Sequence, residues 1–270
     1  MIKRCGTVAL IGLPNSGKSS ILNKLIGQKI SPVTHKINTT RRVVNGVLTL
    51  SNKQFIFVDT PGVLNRNFVL KTDVFLWIAN CKLKPEKPLT PLPQNLILIL
   101  NKIDLFKKKS ELLPVISNWQ KLINPSDILL LSAKTGQGFD DFIKIIGDKL
   151  PIHEFMFDDK FVTDSTEKDL ACELIREKVL LNLNEEIPYT IEVMIELFNE
   201  KHRNDNNKKI IYISAILKVK KDKHKPIVIG RNGTVLKRIG SAARKDLEFA
   251  LDCKVMLRLL VTSGEFQTKI

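Results

Sequence analysis

A glycine, four residues of any type and then Gly-Lys-Ser is a spacing that can hold a chain of phosphates, and it occurs here as Gly12-Leu13-Pro14-Asn15-Ser16-Gly17-Lys18-Ser19. The glycines let backbone N–H groups curl around phosphate oxygens, Lys18 reaches the outer phosphates, and the Ser19 hydroxyl can ligate Mg²⁺. A helix starting at the loop's end adds its positive N-terminus, which brings Ser20 into the same set. The apolar run Thr7-Val8-Ala9-Leu10-Ile11 reads as a buried strand before the loop, and Ser20-Ile21-Leu22-Asn23-Lys24-Leu25-Ile26 reads as a helix after it. This strand-loop-helix context separates a phosphate loop from an ordinary glycine turn and implies a nucleoside triphosphate.

Three later strands each end in residues that could complete the site. Gln54-Phe55-Ile56-Phe57-Val58 leads into Asp59-Thr60-Pro61-Gly62, where the carboxylate can hold Mg²⁺ through water and the Gly62 N–H can meet the γ-phosphate. Leu96-Ile97-Leu98-Ile99-Leu100 delivers Asn101-Lys102-Ile103-Asp104. The Asp104 carboxylate can accept from guanine N1–H and the exocyclic amine while the Lys102 stem covers the base. Adenine has no such donor pair, and a buried carboxylate left unpaired is costly. Ile128-Leu129-Leu130-Leu131 runs into Ser132-Ala133-Lys134, whose backbone can contact the guanine oxygen. Each segment alone is weak, but four in order at the carboxyl ends of apolar strands imply a doubly wound α/β domain that binds GTP. In Asn38-Thr39-Thr40-Arg41-Arg42, before the strand Val43 to Leu50, Thr40 is the candidate second Mg²⁺ hydroxyl and Thr39 the alternative.

Far downstream, Val228-Ile229-Gly230-Arg231-Asn232-Gly233-Thr234-Val235-Leu236-Lys237-Arg238-Ile239 places a Gly-x-x-Gly turn between two helical patterns, with basic residues in and after it. Glycines there allow a single-stranded RNA backbone to come close, and Ile229, Arg231, Asn232, Lys237 and Arg238 complete the candidate RNA-binding set.

Pro14-Asn15 within the phosphate loop, Thr39-Thr40-Arg41, Asp59-Thr60-Pro61-Gly62 and Asn101-Lys102-Ile103-Asp104 resemble the Era family of GTPases, within the Era/TrmE/Der group. The Gly230 to Gly233 stretch resembles the core of a KH RNA-binding domain, and GTPase followed by KH is the Era order. The resemblance implies a P-loop GTPase domain at 1–150, a linker at 151–164 and an α+β KH-type domain at 165–270. It also implies GTP/GDP and Mg²⁺ as ligands, and binding of small-subunit ribosomal RNA near its 3′ end during assembly of the small ribosomal subunit. Hydrolysis would be attack by water on the γ-phosphorus, helped by Lys18, by Mg²⁺ on Ser19, Thr40 and Asp59, and by the backbone at Gly62. Asn15 resembles the residue that holds K⁺ in cation-dependent members of the group.

Three departures from the family pattern stand out. Val63 to Val74 and Asn80 to Asn95 are short for crossovers, and Pro85, Pro88, Pro91 and Pro93 forbid a regular helix in the second. One or two crossover helices, with most of the second switch, are therefore expected to be absent. No glutamine that could orient water follows Gly62 before Gln94, so a nucleotide-gated RNA-binding protein with little or no turnover stands as the alternative reading. Only nine residues follow Leu257-Arg258-Leu259-Leu260-Val261, where the family has a last helix.

Length agrees with two domains, and charge is uneven along them: residues 1–150 hold 22 Lys and Arg against 9 Asp and Glu, while the second domain has an acidic front half and a basic back half. The chain has 270 residues and a formal charge of +15. Residues 151–200 hold 4 Lys and Arg against 13 Asp and Glu, whereas 201–258 hold 16 against 5, so the segment around the Gly-x-x-Gly turn is strongly basic. The helical pattern Asp169 to Leu183 reads as core packing through Leu170, Leu174, Ile175, Val179 and Leu180, with Glu173, Arg176, Glu177 and Lys178 off that face. Strands are expected from Tyr189 to Glu196 and from Ile210 to Val219, with Lys201 to Lys209 as their hairpin connection. Cys5, Cys81, Cys172 and Cys253 are scattered and read as small buried hydrophobes, and the histidines form no metal set. No apolar run approaches a membrane span and no signal peptide precedes the first strand, which implies a cytoplasmic protein; a monomer is expected. The basic surface permits peripheral contact with the inner membrane face without requiring it.

Overall fold

The computed structural model describes residues 2–31, 44–59, 72–86, 93, 96–183, 187–203 and 209–265. They divide into two units, the first ending at Asp164 and the second beginning at Ser165.

In the first unit, strands β1 (Arg4–Ile11), β2 (Val44–Leu50), β3 (Lys53–Asp59), β4 (Val74–Asn80), β5 (Leu96–Asn101) and β6 (Asp127–Leu130) form one sheet in the order β2-β3-β1-β4-β5-β6. Only β2 runs antiparallel to its neighbour. Helices α1 (Lys18–Ile26), α2 (Leu112–Ile123) and α3 (Phe139–Lys149) cover both faces. Side chains alternate across the strands, so Val8 and Leu10 pack with Ile21 and Leu22 of α1 and Phe142 and Ile146 of α3. Ala9 and Ile11 pack on the opposite side with Leu112 and Trp119 of α2. Burial on both faces is why β3, β4 and β5 read as unbroken apolar runs. Parallel pairing brings the carboxyl ends of β1, β3 and β5 to one edge, where such folds bind ligands.

The short crossover after β4 has no helix in residues 81–86 or at 93, as its prolines require. The other, at residues 60–71, lies outside the described residues. Residues 151–164, read from sequence as a linker, lie along the first unit. The Val47 N–H donates to Val162 O at 2.7 Å, and Phe155, Phe157 and Phe161 pack on Cys5, Val47 and Ile56. The Gln54 side chain donates to Phe157 O and accepts from the N–H groups of Met156 and Phe157, so one buried amide satisfies three backbone groups of this strap.

The second unit runs α4 (Glu167–Asn182), β7 (Ile191–His202), β8 (Ile210–Val219), α5 (Lys225–Ile229), α6 (Thr234–Leu251) and β9 (Lys254–Ser263). Its sheet has the order β7-β8-β9, antiparallel between the first pair and parallel between the second. Strand β7 starts at Ile191 rather than Tyr189, because Ile187–Thr190 forms a 3₁₀ turn closed by Thr190 Oγ1 on Ile187 O. It also extends past Glu196, where an irregularity in pairing lets it continue to His202. The Thr166 Oγ1 accepts from the Asp169 N–H and caps α4. Helix α4 buries more than its apolar face: Arg176, Glu177 and Lys178, off that face, are also buried. They survive burial by pairing, Arg176 with Glu173 and Lys178 with both Glu177 and Asp246. Cys5 and Cys81 are buried, as expected, while Cys172 and Cys253 are half-buried; burial pushes the Cys81 thiol up to about 11.

Candidate functional site

The loop between β1 and α1 is shaped by backbone that only small residues allow. Gly12 has φ +147° and a Cβ there would sit 2.1 Å from Ile78 O; at Gly17, φ is +99° and a Cβ would sit 2.2 Å from Asn101 Nδ2. Side chains are thus excluded where phosphate oxygens must meet N–H groups. The Lys18 ammonium donates to Gly12 O at 2.9 Å and Leu13 O at 3.1 Å, across the mouth of the loop. Burial lowers its pKa against the opposing pull of Asp59, so an incoming polyanion would meet a poorly hydrated cation.

Asp59 ends β3 fully buried, with Oδ2 accepting from Ser19 Oγ at 2.8 Å and Ser31 Oγ at 3.1 Å. Burial raises its pKa more than the two hydroxyls and Lys18 lower it. Its Oδ1 is buried and makes no hydrogen bond among the described residues. A hydroxyl and a carboxylate side by side, with one oxygen unsatisfied, are a fitting donor set for Mg²⁺. Ser31 is a positioning residue that the sequence reading missed. Asn23 fixes it by accepting from the Ile30 and Ser31 N–H groups and donating to Ser31 O. No motif marks it; the signal is an asparagine reaching eight residues ahead across the helix C-terminus.

Asn101, at the end of β5, ties three segments together. Its Nδ2 donates to Ser16 O at 3.0 Å, and its Oδ1 accepts from the N–H groups of Lys102 at 2.8 Å and Ala133 at 3.1 Å. Lys102, held at φ +67°, donates through Nζ to Asn15 O at 2.9 Å. Asp104 Oδ1 accepts from the buried Ser132 Oγ at 2.6 Å, and Ser132 Oγ accepts from the Thr135 N–H. The sequence reading assigned Ser132 a backbone role; its side chain also orients the Asp104 carboxylate. Lys134 is exposed and Ser20 half-buried at the start of α1. Pro14 is exposed, while Asn15 adopts φ +63° with its Oδ1 buried and without a partner among the described residues, as is the Oγ of Ser16. Thr39, Thr40, Thr60, Pro61, Gly62 and Val63 lie outside the described residues.

In the second unit, α5 and α6 flank the Gly-x-x-Gly turn. Gly230 has φ +75° and Gly233 +74°, Asn232 is also left-handed at +53°, and the Gly233 N–H closes on Gly230 O at 3.1 Å. A Cβ at Gly230 would strike Val235 at 2.5 Å, whereas one at Gly233 would meet nothing within 4 Å. Gly230 is therefore required by the fold itself. Arg231, Asn232, Lys237 and Arg238 are exposed and Ile229 half-buried. Arg238 also donates to Asn182 O at 3.3 Å, at the end of α4, so part of its role is structural.

Comparison with known proteins matches this geometry along nearly the whole chain. Residues 7–129 match the family described as 50S ribosome-binding GTPase, and residues 186–262 match the KH domain family. The chain is similar to GTPase Era of Trichlorobacter lovleyi, at 36% identity covering 98% of this chain and 94% of the relative. It is similar also to GTPase Era of Pseudomonas fluorescens, at 37% identity covering 96% and 91%. Among solved structures, Aquifex aeolicus Era bound to GDP·AlF4⁻ superposes with a TM-score of 0.86 at 32% identity, covering 97% of this chain and 94% of that one. Era in complex with MgGDPNP and nucleotides 1506–1542 of 16S ribosomal RNA gives the same values. The chain belongs to the Era family of GTPases, a GTP-hydrolysing domain followed by a KH domain.

Proposed function

We propose that the chain uses its hydrolysis of GTP to time the binding and release of small-subunit ribosomal RNA, near the RNA's 3′ end, during assembly of the small ribosomal subunit. Gly12 through Ser20 hold the phosphates, Asp104 with Lys102 and the Ser132-Ala133-Lys134 backbone hold guanine, and Ser19, Asp59 and Thr40 hold Mg²⁺. Mg²⁺ bound by these residues would offset negative charge on the phosphates. Lys18 exchanges the carbonyls of Gly12 and Leu13 for phosphate oxygens, and the Gly62 backbone orients water. The unpartnered Asn15 Oδ1 supports a ligand role toward K⁺ beside the phosphates. Phosphate release by the native chain is then faster in K⁺ than in Na⁺, and Asn15→Ala removes the difference; equal rates in both salts would take Asn15 out of the mechanism. The alternative without turnover rests on the shortened second switch, at residues outside the described ones, and no other observation favours it.

The observation that carries the RNA half is the exposed Arg231-Asn232 pair presented between two left-handed glycines and followed by the basic face of α6. A relative solved with nucleotides 1506–1542 of 16S ribosomal RNA supports the choice of RNA. In this reading the protein works as a cytoplasmic monomer, and peripheral contact with the inner membrane face has only the basic surface behind it. Among the described residues, no helix is long and apolar enough to cross a membrane. Gly233→Asp is the cleanest test, because the protein has open space for the new side chain and aspartate tolerates this backbone region. The variant should keep its GTP affinity and lose binding to a 3′-end segment of small-subunit RNA. Undiminished RNA affinity would overturn the reading.

A further inference from the structure

A segment that only joins two domains needs slack and little attachment. The strap at 151–164 is instead fastened to the first unit along its length. At its near end the Cys5 N–H donates to Pro151 O at 3.2 Å and the His153 N–H to Lys3 O at 3.3 Å. At its middle stands Gln54, which is fully buried. The Gln54 Nε2 donates to Phe157 O at 2.9 Å and Thr49 Oγ1 at 3.0 Å, and its Oε1 accepts from the Met156 N–H at 2.9 Å and the Phe157 N–H at 3.0 Å. The rings of Phe155, Phe157 and Phe161 would cover the apolar patch beneath them without this amide, yet rings alone can slide. A buried amide with both donors and both acceptor positions filled fixes a single register.

At its far end the strap runs antiparallel beside β2, with Thr163 paired to Gly46 and the Val47 N–H on Val162 O at 2.7 Å. A Cβ on Gly46 would lie 2.8 Å from Ile30 Cδ1, so the β2 backbone rests directly on that side chain. Ile30 precedes Ser31, whose hydroxyl donates to the Asp59 carboxylate at 3.1 Å. Val44, just before this stretch of β2, pairs in register with Asp59 itself. From Asp59 to Thr163 every step is therefore a covalent, hydrogen-bonded or close-packed neighbour, a contiguous path of the kind that carries coupling between sites. Beyond Thr163 only Asp164 and Ser165 precede Thr166, the N-cap of α4. Those three residue steps span at most about 10 Å, so little slack remains to absorb a shift of the β2 edge.

We propose that the strap is a taut relay, pinned by Gln54, that carries the state of the Asp59 end of the nucleotide site to the first turn of α4 and so makes RNA affinity depend on the nucleotide bound. This role rests on the reading of the chain as a GTP-timed RNA binder and adds to it the route and the residue that fixes it. Affinity of the full chain for a 3′-end small-subunit RNA segment, measured with GDP and with the non-hydrolysable analogue GDPNP, gives the coupling as a ratio. In the native chain the two affinities should differ by about fivefold or more. Gln54→Leu is close in volume but cannot hold the backbone of Met156 and Phe157, and it should bring the ratio below about twofold. The same loss should follow from inserting Gly-Ser-Gly-Ser between Asp164 and Ser165, which adds slack past the clamp and leaves the contacts of the strap in place. Affinity for each nucleotide without RNA should stay within about twofold of native in both variants, since neither change touches the nucleotide site. A strap that served only as a cover or a tether would lower the melting temperature of Gln54→Leu and leave the ratio alone. A native ratio in the insertion variant would overturn the relay even if Gln54→Leu failed to fold, and a native ratio in folded Gln54→Leu would overturn the pin. Equal RNA affinity with GDP and GDPNP in the native chain would instead sink the timing reading beneath both.

Discussion

Asp104→Asn is expected to change which nucleotide the protein prefers without changing how it folds. In the native chain Ser132 Oγ donates to Asp104 Oδ1 at 2.6 Å, and an asparagine oxygen can accept that bond equally well, so the loop keeps its anchor. What changes is the face turned to the base. A carboxylate accepting two N–H groups of guanine makes two charge-assisted hydrogen bonds of about 1.5–3 kcal/mol each, so their loss should weaken GTP by roughly two to four orders of magnitude. Xanthosine triphosphate carries a carbonyl where guanine carries its amine, and the asparagine NH₂ can donate to it. Competition of GTP, ATP and xanthosine triphosphate against a fluorescent nucleotide, on native and Asp104→Asn protein, reads the switch directly. Ser132→Ala should give a smaller loss of GTP affinity, about tenfold, since the carboxylate remains but is no longer held. The assignment fails if Asp104→Asn binds GTP within about threefold of native, a difference under 1 kcal/mol, or if native protein binds ATP and GTP alike.

Two further perturbations follow from buried charge. Asp59 has its pKa raised by burial, so its contribution to stability is fully present below the ordinary aspartate value of 3.8 and is lost as pH rises through the higher folded value. Asp59→Asn lacks that decline. The melting temperature of the nucleotide-free variant should exceed the native one by a margin that grows from acid to neutral pH, while Mg²⁺-dependent nucleotide affinity falls; a margin constant with pH would refute the assigned cause. In the second unit, Lys178 neutralises Glu177 at 2.9 Å and Asp246 at 2.5 Å. Lys178→Ala takes the ammonium away from the buried Glu177 and from Asp246 and should cost about 3 kcal/mol in denaturant unfolding of that unit, with Lys178→Met no better because the positive charge is still lost. GTP affinity should not move in either variant.

How much was legible before the structure depended on whether a residue's job shows in its neighbours along the chain. Strands buried on both faces announce themselves as apolar runs, and the motifs at their carboxyl ends inherit that clarity, which is why β1, β3, β5 and the residues after them were readable. Ser31 was not, because what makes it functional is a hydrogen bond to Asp59, 28 residues away, and a brace from Asn23. Burial of Arg176, Glu177 and Lys178 was equally invisible: helical periodicity sorts apolar from polar positions, but it cannot reveal that the polar face meets a partner such as Asp246 from α6. The strap at 151–164 reads as a polar, proline-led connection, yet its three phenylalanines and the amide of Gln54 attach it to the sheet. Phenylalanines spaced through a connection were the signal that its polarity concealed.

Asn101 shows why four separately weak motifs make one strong site. The side chain at the end of β5 donates to Ser16 O in the first loop and accepts from the N–H groups of Lys102 and Ala133, and an amide does both from two separate atoms that can face opposite ways. Asn101→Asp would still satisfy the N–H groups of Lys102 and Ala133 but turn an anion toward Ser16 O and toward the phosphates beyond it. Apolar substitutes would leave all three backbone groups without their partner in a buried place. The amide of Asn101 also stands 2.2 Å from where a Cβ on Gly17 would lie, so the asparagine and the glycine constrain each other. The loop between β1 and α1, the end of β5 and the segment at Ala133 are thus parts of one hydrogen-bonded unit. If Asp104 reads the base and Lys18 binds phosphate, as proposed, Asn101 couples the two, and its replacement should damage both at once, whereas Asp104→Asn should damage only the first.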